Sequence, residues 1–179
     1  RLTWQKGIDL LTEALPAFVE GGGGLVLLGS GEKALEAAML EAAERWPGRV
    51  GVRIGYDDAL SHRLMAGGDA VLVPSRFEPC GLTQMYGLKY GTIPVVAATG
   101  GLNDTVIGAT PATLAADAAT GVSFHPVDGI ALASALRHLT ALYADSAQWA
   151  KLVKRAMKAD VSWSGPAKAY HDLYRSLVA

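Results

Sequence analysis

Short apolar runs recur along this chain at residues 24–28, 50–54, 70–73 and 93–97, each separated from the next by a longer stretch with helical apolar spacing. Parallel strands cannot be joined by a tight turn and need a crossover of a dozen or more residues, usually a helix. The alternation therefore predicts an α/β fold, a Rossmann-like doubly wound parallel sheet with helices on both faces. A shorter run at 122–124 is read as a further strand, and helices are expected at 7–19, 33–46, 57–66, 82–90, 101–106, 129–144, 147–159 and 166–178. One element of that plan is lacking. A βαβ unit needs a strand ahead of its first helix, whereas the sequence enters that helix directly from Arg1-Leu2-Thr3. In this architecture ligands bind outside the carboxyl ends of the strands, which directs attention to the residues that follow each run.

The most informative of those is Ser75-Arg76-Phe77-Glu78-Pro79-Cys80-Gly81-Leu82-Thr83-Gln84, fed by Ala70-Val71-Leu72-Val73-Pro74. A strand here delivers a charged loop to a helix N-terminus, and Leu82, Met85, Tyr86 and Leu88 give that helix an apolar stripe to lay on the sheet. The first-turn amides of Gly81, Leu82 and Thr83 lack intrahelical partners and suit phosphate oxygens. Glu78 beside them is an acceptor for hydroxyl groups. Phosphate donors next to a hydroxyl-directed carboxylate suggest a nucleotide-sugar.

Bulk properties narrow the classes. The 179 residues suit one domain, and with 50% hydrophobic residues they can form a full core. The charge balance, 16 Lys plus Arg against 17 Asp plus Glu, gives no field that would attract nucleic acid or an anionic membrane. No apolar stretch approaches the roughly 20 residues that span a bilayer. The single cysteine, Cys80, has no intramolecular disulfide partner, and no signal-peptide pattern opens the chain. These features lead to the expectation of a cytoplasmic protein.

Other residues have ordinary readings when taken alone. Arg1 and Lys6 flank the turn into the first helix, where a basic side chain is commonly a solvated charge. Glu78 could serve only the helix dipole, and a lone cysteine is most often a small core residue. Gly100-Gly101 could be a conformational pair at a strand-to-helix turn, and Tyr56 a half-buried ring at a strand end. Gly29-Ser30-Gly31 lacks the third glycine of a dinucleotide fingerprint and reads as a turn bordering the pocket. Asp57-Asp58 is read as a helix cap, and His62, His125, His138 and His171 lack the spacing of metal ligands.

Three segments together carry a resemblance. Arg76-Phe77-Glu78-Pro79-Cys80-Gly81-Leu82-Thr83-Gln84, the opening Arg1-Leu2-Thr3-Trp4-Gln5-Lys6-Gly7 and the later Thr99-Gly100-Gly101-Leu102 resemble bacterial glycogen synthases and plant starch synthases, over nearly the whole chain. The resemblance implies the C-terminal, ADP-glucose-binding half of a two-domain GT-B glycosyltransferase. That enzyme would transfer glucose with retention to the nonreducing end of an α-1,4-glucan.

The resemblance also implies roles. Arg1, Lys6 and Glu78 become the catalytic set, the two cations holding the diphosphate and the carboxylate holding glucose hydroxyls. Cys80, Gly81, Leu82, Thr83, Gly100 and Gly101 become substrate-binding residues around sugar and phosphates, and Tyr56 stacks on adenine. No cofactor and no metal is implied. Related retaining enzymes place a second glutamate eight residues after the first to hold the ribose, where this sequence has Tyr86. The domain reading is 1–160 for nucleotide-sugar binding and 161–179 for a C-terminal helix whose stripe of Tyr170, Leu173, Tyr174 and Leu177 packs on an N-terminal domain. The glucan would be bound through that domain. The alternatives are another two-domain nucleotide-sugar glycosyltransferase, such as a sucrose or trehalose-phosphate synthase, or a noncatalytic nucleotide-binding module.

Overall fold

The computed structural model describes residues 1–178. Five parallel strands alternate with helices, as the apolar pattern predicts: β1 Leu25–Gly29, β2 Val50–Ile54, β3 Ala70–Val73, β4 Ile93–Ala97 and β5 Val122–Phe124. The helices are α1 Ile8–Glu20, α2 Lys33–Arg45, α3 Asp58–Gly67, α4 Thr83–Tyr90, α5 Gly100–Thr105, α6 Pro111–Ala115, α7 Gly129–Ala144, α8 Ser146–Lys158 and α9 Ser164–Val178. β1 lies one residue later than expected, and α9 begins two residues earlier, placing Pro166 inside its first turn.

Two elements differ from the sequence reading. A 3-10 turn, Trp4–Lys6, precedes α1 and ends on Gly7 in the left-handed region at φ 68°. The short helix α6 was also unexpected, although its signal is present: Thr110 caps the amide of Thr113, Thr113 returns a bond to the Thr110 amide, and Pro111 occupies the first turn. Asp57 caps α3 by accepting from the Leu60 amide at 2.9 Å, which bears out the capping reading of the Asp57-Asp58 pair.

The strands form two separate parallel sheets, β1–β2 and β3–β4–β5. Among the described strands, none of the first sheet is hydrogen-bonded to one of the second. The halves are joined by the packing of α1 against both α2 and α7 and by backbone hydrogen bonds from residues 2–7 to the loops after β1 and β3. The buried stripe of α1, Ile8, Leu10, Leu11, Ala14, Leu15 and Val19, belongs to the same core as β4, β5 and α7. Full burial of each Leu, Ile or Val side chain of this kind contributes roughly 1.5–3 kcal/mol of transfer free energy.

β4 is buried along its whole length. Its Pro94 pairs only with Val71 of β3, because pairing with β5 begins one residue later, at Val95. The missing amide therefore interrupts no bond to β5. α9 is different in kind: none of its described residues is buried, and Tyr170, Leu173, Tyr174 and Leu177 are all exposed. No described helix is long and apolar enough to cross a membrane.

Candidate functional site

The segment from Leu2 to Gly7 crosses the carboxyl edges of both sheets. At one end the Leu2 amide donates to Ser30 O at 2.9 Å, and Leu2 O accepts from the Glu32 amide at 2.8 Å, just past β1. At the other end Gln5 O accepts from the Arg76 amide at 2.9 Å, just past β3. Gly7 then sits on the end of β3 so closely that an added Cβ would lie 2.0 Å from Pro74 O. Only glycine satisfies both that approach and the positive φ.

This crossing places Lys6 against the loop between β3 and α4. Lys6 Nζ donates to Glu78 Oε2, and Ser75 Oγ donates to the same oxygen at 3.2 Å. The two charged side chains are 28% and 12% exposed, so they face each other in a recess that still opens to solvent. Among the described residues nothing donates to Glu78 Oε1, which leaves that oxygen to accept from a ligand. The direct ion pair was not anticipated from the sequence, which assigned the two residues to separate parts of a ligand.

Arg76 holds this arrangement from behind. Its guanidinium makes a bidentate pair with Asp9 of α1 at 2.7 and 2.6 Å, donates to Trp4 O at 2.7 Å and stacks on the Trp4 ring at 4.4 Å. Hydrogen bonds from Arg76 hold the Asp9 carboxyl below its usual value, against a smaller opposing effect of burial. Gln5 Nε2 adds a bond to Phe77 O at 3.2 Å. Sequence reasoning gave Arg76, Asp9 and Gln5 no supporting role, because their partners lie 67 to 72 positions away in the chain.

The loop before α5 closes the recess. The Gly101 amide donates to Glu78 O at 3.0 Å. A Cβ on Gly100 would lie 2.2 Å from Glu78 O, and one on Gly101 would lie 2.6 Å from Cys80 Cα. The two loops touch backbone to backbone, which explains why both positions are glycine. Among the described residues no acceptor is offered to the amides of Gly81, Leu82 and Thr83, and Leu82 provides no side-chain cap. Cys80 is exposed on the same loop. The structure therefore brings Lys6, Glu78, Cys80, Gly81, Leu82, Thr83, Gly100 and Gly101 to one place at the carboxyl ends of β3 and β4.

Arg1 and Tyr56 meet elsewhere on the same edge. They line a cleft of about 200 Å³ with Gly29, Ser30, Gly55 and Asp57, at the carboxyl ends of β1 and β2. The Tyr56 ring is 88% exposed, and its hydroxyl is 3.4 Å from Asp58 Oδ1. The Gly29-Ser30-Gly31 turn beneath is fixed by a bond from the Gly31 amide to Glu36 Oε1 at 2.9 Å, and it borders the cleft as expected. Tyr86 is half exposed on α4. His62 bonds the Tyr90 hydroxyl and His138 the Ala109 carbonyl, both away from this edge. The described geometry thus consists of an aromatic cleft with one cation over β1–β2 and a cation–carboxylate recess with free amides over β3–β4, joined by residues 2–7.

Comparison with known proteins bears on what such an edge belongs to. A glycogen synthase of Cereibacter sphaeroides is 64% identical over all 179 residues, and one of Paracoccus denitrificans is 58% identical over the same span. The chain spans 37% and 38% of those proteins, a little over a third of their length. A solved structure described as the catalytic domain of starch synthase IV from Arabidopsis thaliana, bound to ADP and acarbose, superposes with a TM-score of 0.89 at 36% identity, covering 98% of this chain and 36% of that one. The chain is thus a homologue of glycogen and starch synthases, with the α/β fold and parallel sheets of a GT-B C-terminal domain. The model of the family described as glycosyl transferases group 1 matches residues 1–141, and to that family this chain belongs.

Proposed function

We propose that this chain is the donor-binding half of an ADP-glucose-dependent glucan synthase. The observation that carries the reading is the convergence of Lys6, Glu78, the free amides of Gly81–Thr83 and the Gly100-Gly101 turn in one recess, with the Arg1–Tyr56 cleft alongside. In this reading the diphosphate lies across Arg1, Lys6 and the amides at the start of α4, where cations and a helix N-terminus favour negative charge. Glu78 accepts hydroxyls of the glucose, Cys80 lines its pocket, and the exposed face of Tyr56 receives adenine.

The transfer proceeds on one face of the sugar. The bond from glucose C1 to the phosphate oxygen breaks as the 4-hydroxyl oxygen of a nonreducing glucan end bonds to C1 from the same side. The hydroxyl proton passes to the departing phosphate oxygen, and configuration is retained. No protein nucleophile is needed. Charge developing on the departing ADP is stabilised by Arg1, Lys6 and the fixed amides.

The segment read as 161–179, of which Ala179 lies outside the described residues, is proposed to lie against a further domain that binds the α-1,4-glucan, a role that suits the exposed Tyr170, Leu173, Tyr174 and Leu177 of α9. A cytoplasmic setting accords with the lone free thiol of Cys80.

Calorimetric titration of the chain with ADP-glucose, UDP-glucose and NAD tests the reading. ADP-glucose is expected to bind in preference to the other two. Equal heats for all three, or preference for NAD, would contradict it.

A further inference from the structure

One fully buried amide sits beneath the recess and has no part in the roles assigned above. Gln84, in the first turn of α4, has 0% exposure. Its Nε2 lies 2.9 Å from Cys80 O, 2.9 Å from Gly81 O and 3.1 Å from Thr105 Oγ1. Carbonyl oxygens only accept, so the nitrogen end of the amide must face them, and the orientation of the side chain is fixed by chemistry. Thr105 Oγ1 in turn donates to Gly101 O at 2.6 Å. An unbroken run of hydrogen bonds thus leads from the Cys80-Gly81 turn through Gln84 and Thr105 to the Gly100-Gly101 turn.

The amide also accounts for a neighbour. Gly81 has φ +76°, and a Cβ there would lie 2.5 Å from Gln84 Oε1. Among the described residues that oxygen is buried without a partner, an unfavourable state for an acceptor. The side chain is therefore held for what its nitrogen does, and Gly81 leaves the room it needs.

We propose that Gln84 is a positioning residue that clamps the two glycine-containing loops together and so sets the spacing between the Gly81–Thr83 amides and Glu78. The inference rests on the donor-site reading above for its functional consequence. Its structural content is independent of any ligand: the two loops keep their relative placement because the Gln84 and Thr105 side chains link them.

The Gly101 amide reports directly on that placement, because it crosses the junction to Glu78 O. Hydrogen exchange at Gly101, read against the Val96 amide inside β4, is the test, in the chain itself and in its Gln84→Leu, Gln84→Glu, Thr105→Val and Thr105→Ser variants. Gln84→Leu and Thr105→Val are expected to speed exchange at Gly101 by roughly tenfold while leaving Val96 unchanged, since they open a local contact and not the whole fold. Thr105→Ser keeps the hydroxyl and is expected to behave as the parent. Gln84→Glu, which puts an acceptor against two carbonyls, is expected to resemble Gln84→Leu. ADP titration followed by chemical shift should show weaker binding for Gln84→Leu and Thr105→Val and parental binding for Thr105→Ser.

Unchanged exchange at Gly101 in both disruptive variants would overturn the clamp, as would equal acceleration at Gly101 and Val96. Faster exchange at Gly101 with parental ADP affinity would overturn its role in setting the site. Absence of ADP binding by the parent would instead count against the donor-site reading, while the exchange data would still decide the clamp.

Discussion

At the scale of single residues, the Lys6–Glu78 pair changes how the two side chains are expected to respond to substitution. The resemblance assigns the cation to phosphate and the carboxylate to sugar, two separable tasks. In the structure each also neutralises the other. Lys6→Ala is expected to weaken ADP binding by about tenfold or more, the scale of a lost hydrogen bond to a charged group. Glu78→Gln releases Lys6 from its partner, so ADP affinity should hold or rise, whereas the extra affinity contributed by the glucose of ADP-glucose should disappear. Calorimetry with both ligands on both variants separates these outcomes, and an equal loss of ADP affinity in the two would contradict the division of roles. Ser75, bonded to the same carboxylate oxygen, is a third member of this unit.

At the scale of elements, α1 is tied to the loop after β3 by the Asp9–Arg76 pair, whose side chains are 30% and 20% exposed. The Asp9 carboxyl titrates below its usual value of 3.8, chiefly through hydrogen bonds from Arg76. A depressed folded-state value means that the pair's contribution is present above the unfolded value and is lost as pH falls through the folded one. Melting temperature is therefore expected to drop for the parent as pH is lowered from about 5 toward 2. Asp9→Asn should start lower at neutral pH and lose less over that interval. Parallel melting curves for parent and variant across the range would show that the pair does not contribute.

The elements themselves were largely legible in the sequence, because buried parallel strands read as short apolar runs and their crossovers as amphipathic stretches. Val50–Ile54, Ala70–Val73, Ile93–Ala97 and Val122–Phe124 match their expected bounds, as does α7. The 3-10 turn at Trp4–Lys6 was not legible, since its conformation depends on bonds to Glu32 and Arg76 far along the chain. For the same reason the loop residues Lys6, Glu78, Gly81 and Gly100 could be given roles from their motifs, yet the supporting roles of Arg76 and Gln84, which lie in the same motif, and of Asp9 and Thr105 could not. Their significance lies in contacts across tertiary structure, and Gln84 in particular looks like an ordinary polar residue in a helix's first turn.

At the scale of the whole molecule, the described strands fall into two sheets that share α1 and the crossing segment from Leu2 to Gly7. That segment carries Lys6 at one end and adjoins Arg1 at the other, so it joins the aromatic cleft over β1–β2 to the charged recess over β3–β4. A nucleotide-sugar is a ligand of the right form for such an edge, with a flat base, a central diphosphate and a terminal sugar.

A crystal structure of the chain with ADP-glucose tests this central claim most directly. The account predicts adenine against Tyr56, diphosphate oxygens on Arg1, Lys6 Nζ and the amides of Gly81–Thr83, and glucose hydroxyls on Glu78. Density for the nucleotide-sugar on any other surface, or with its diphosphate remote from Lys6 and Gly81, would contradict it.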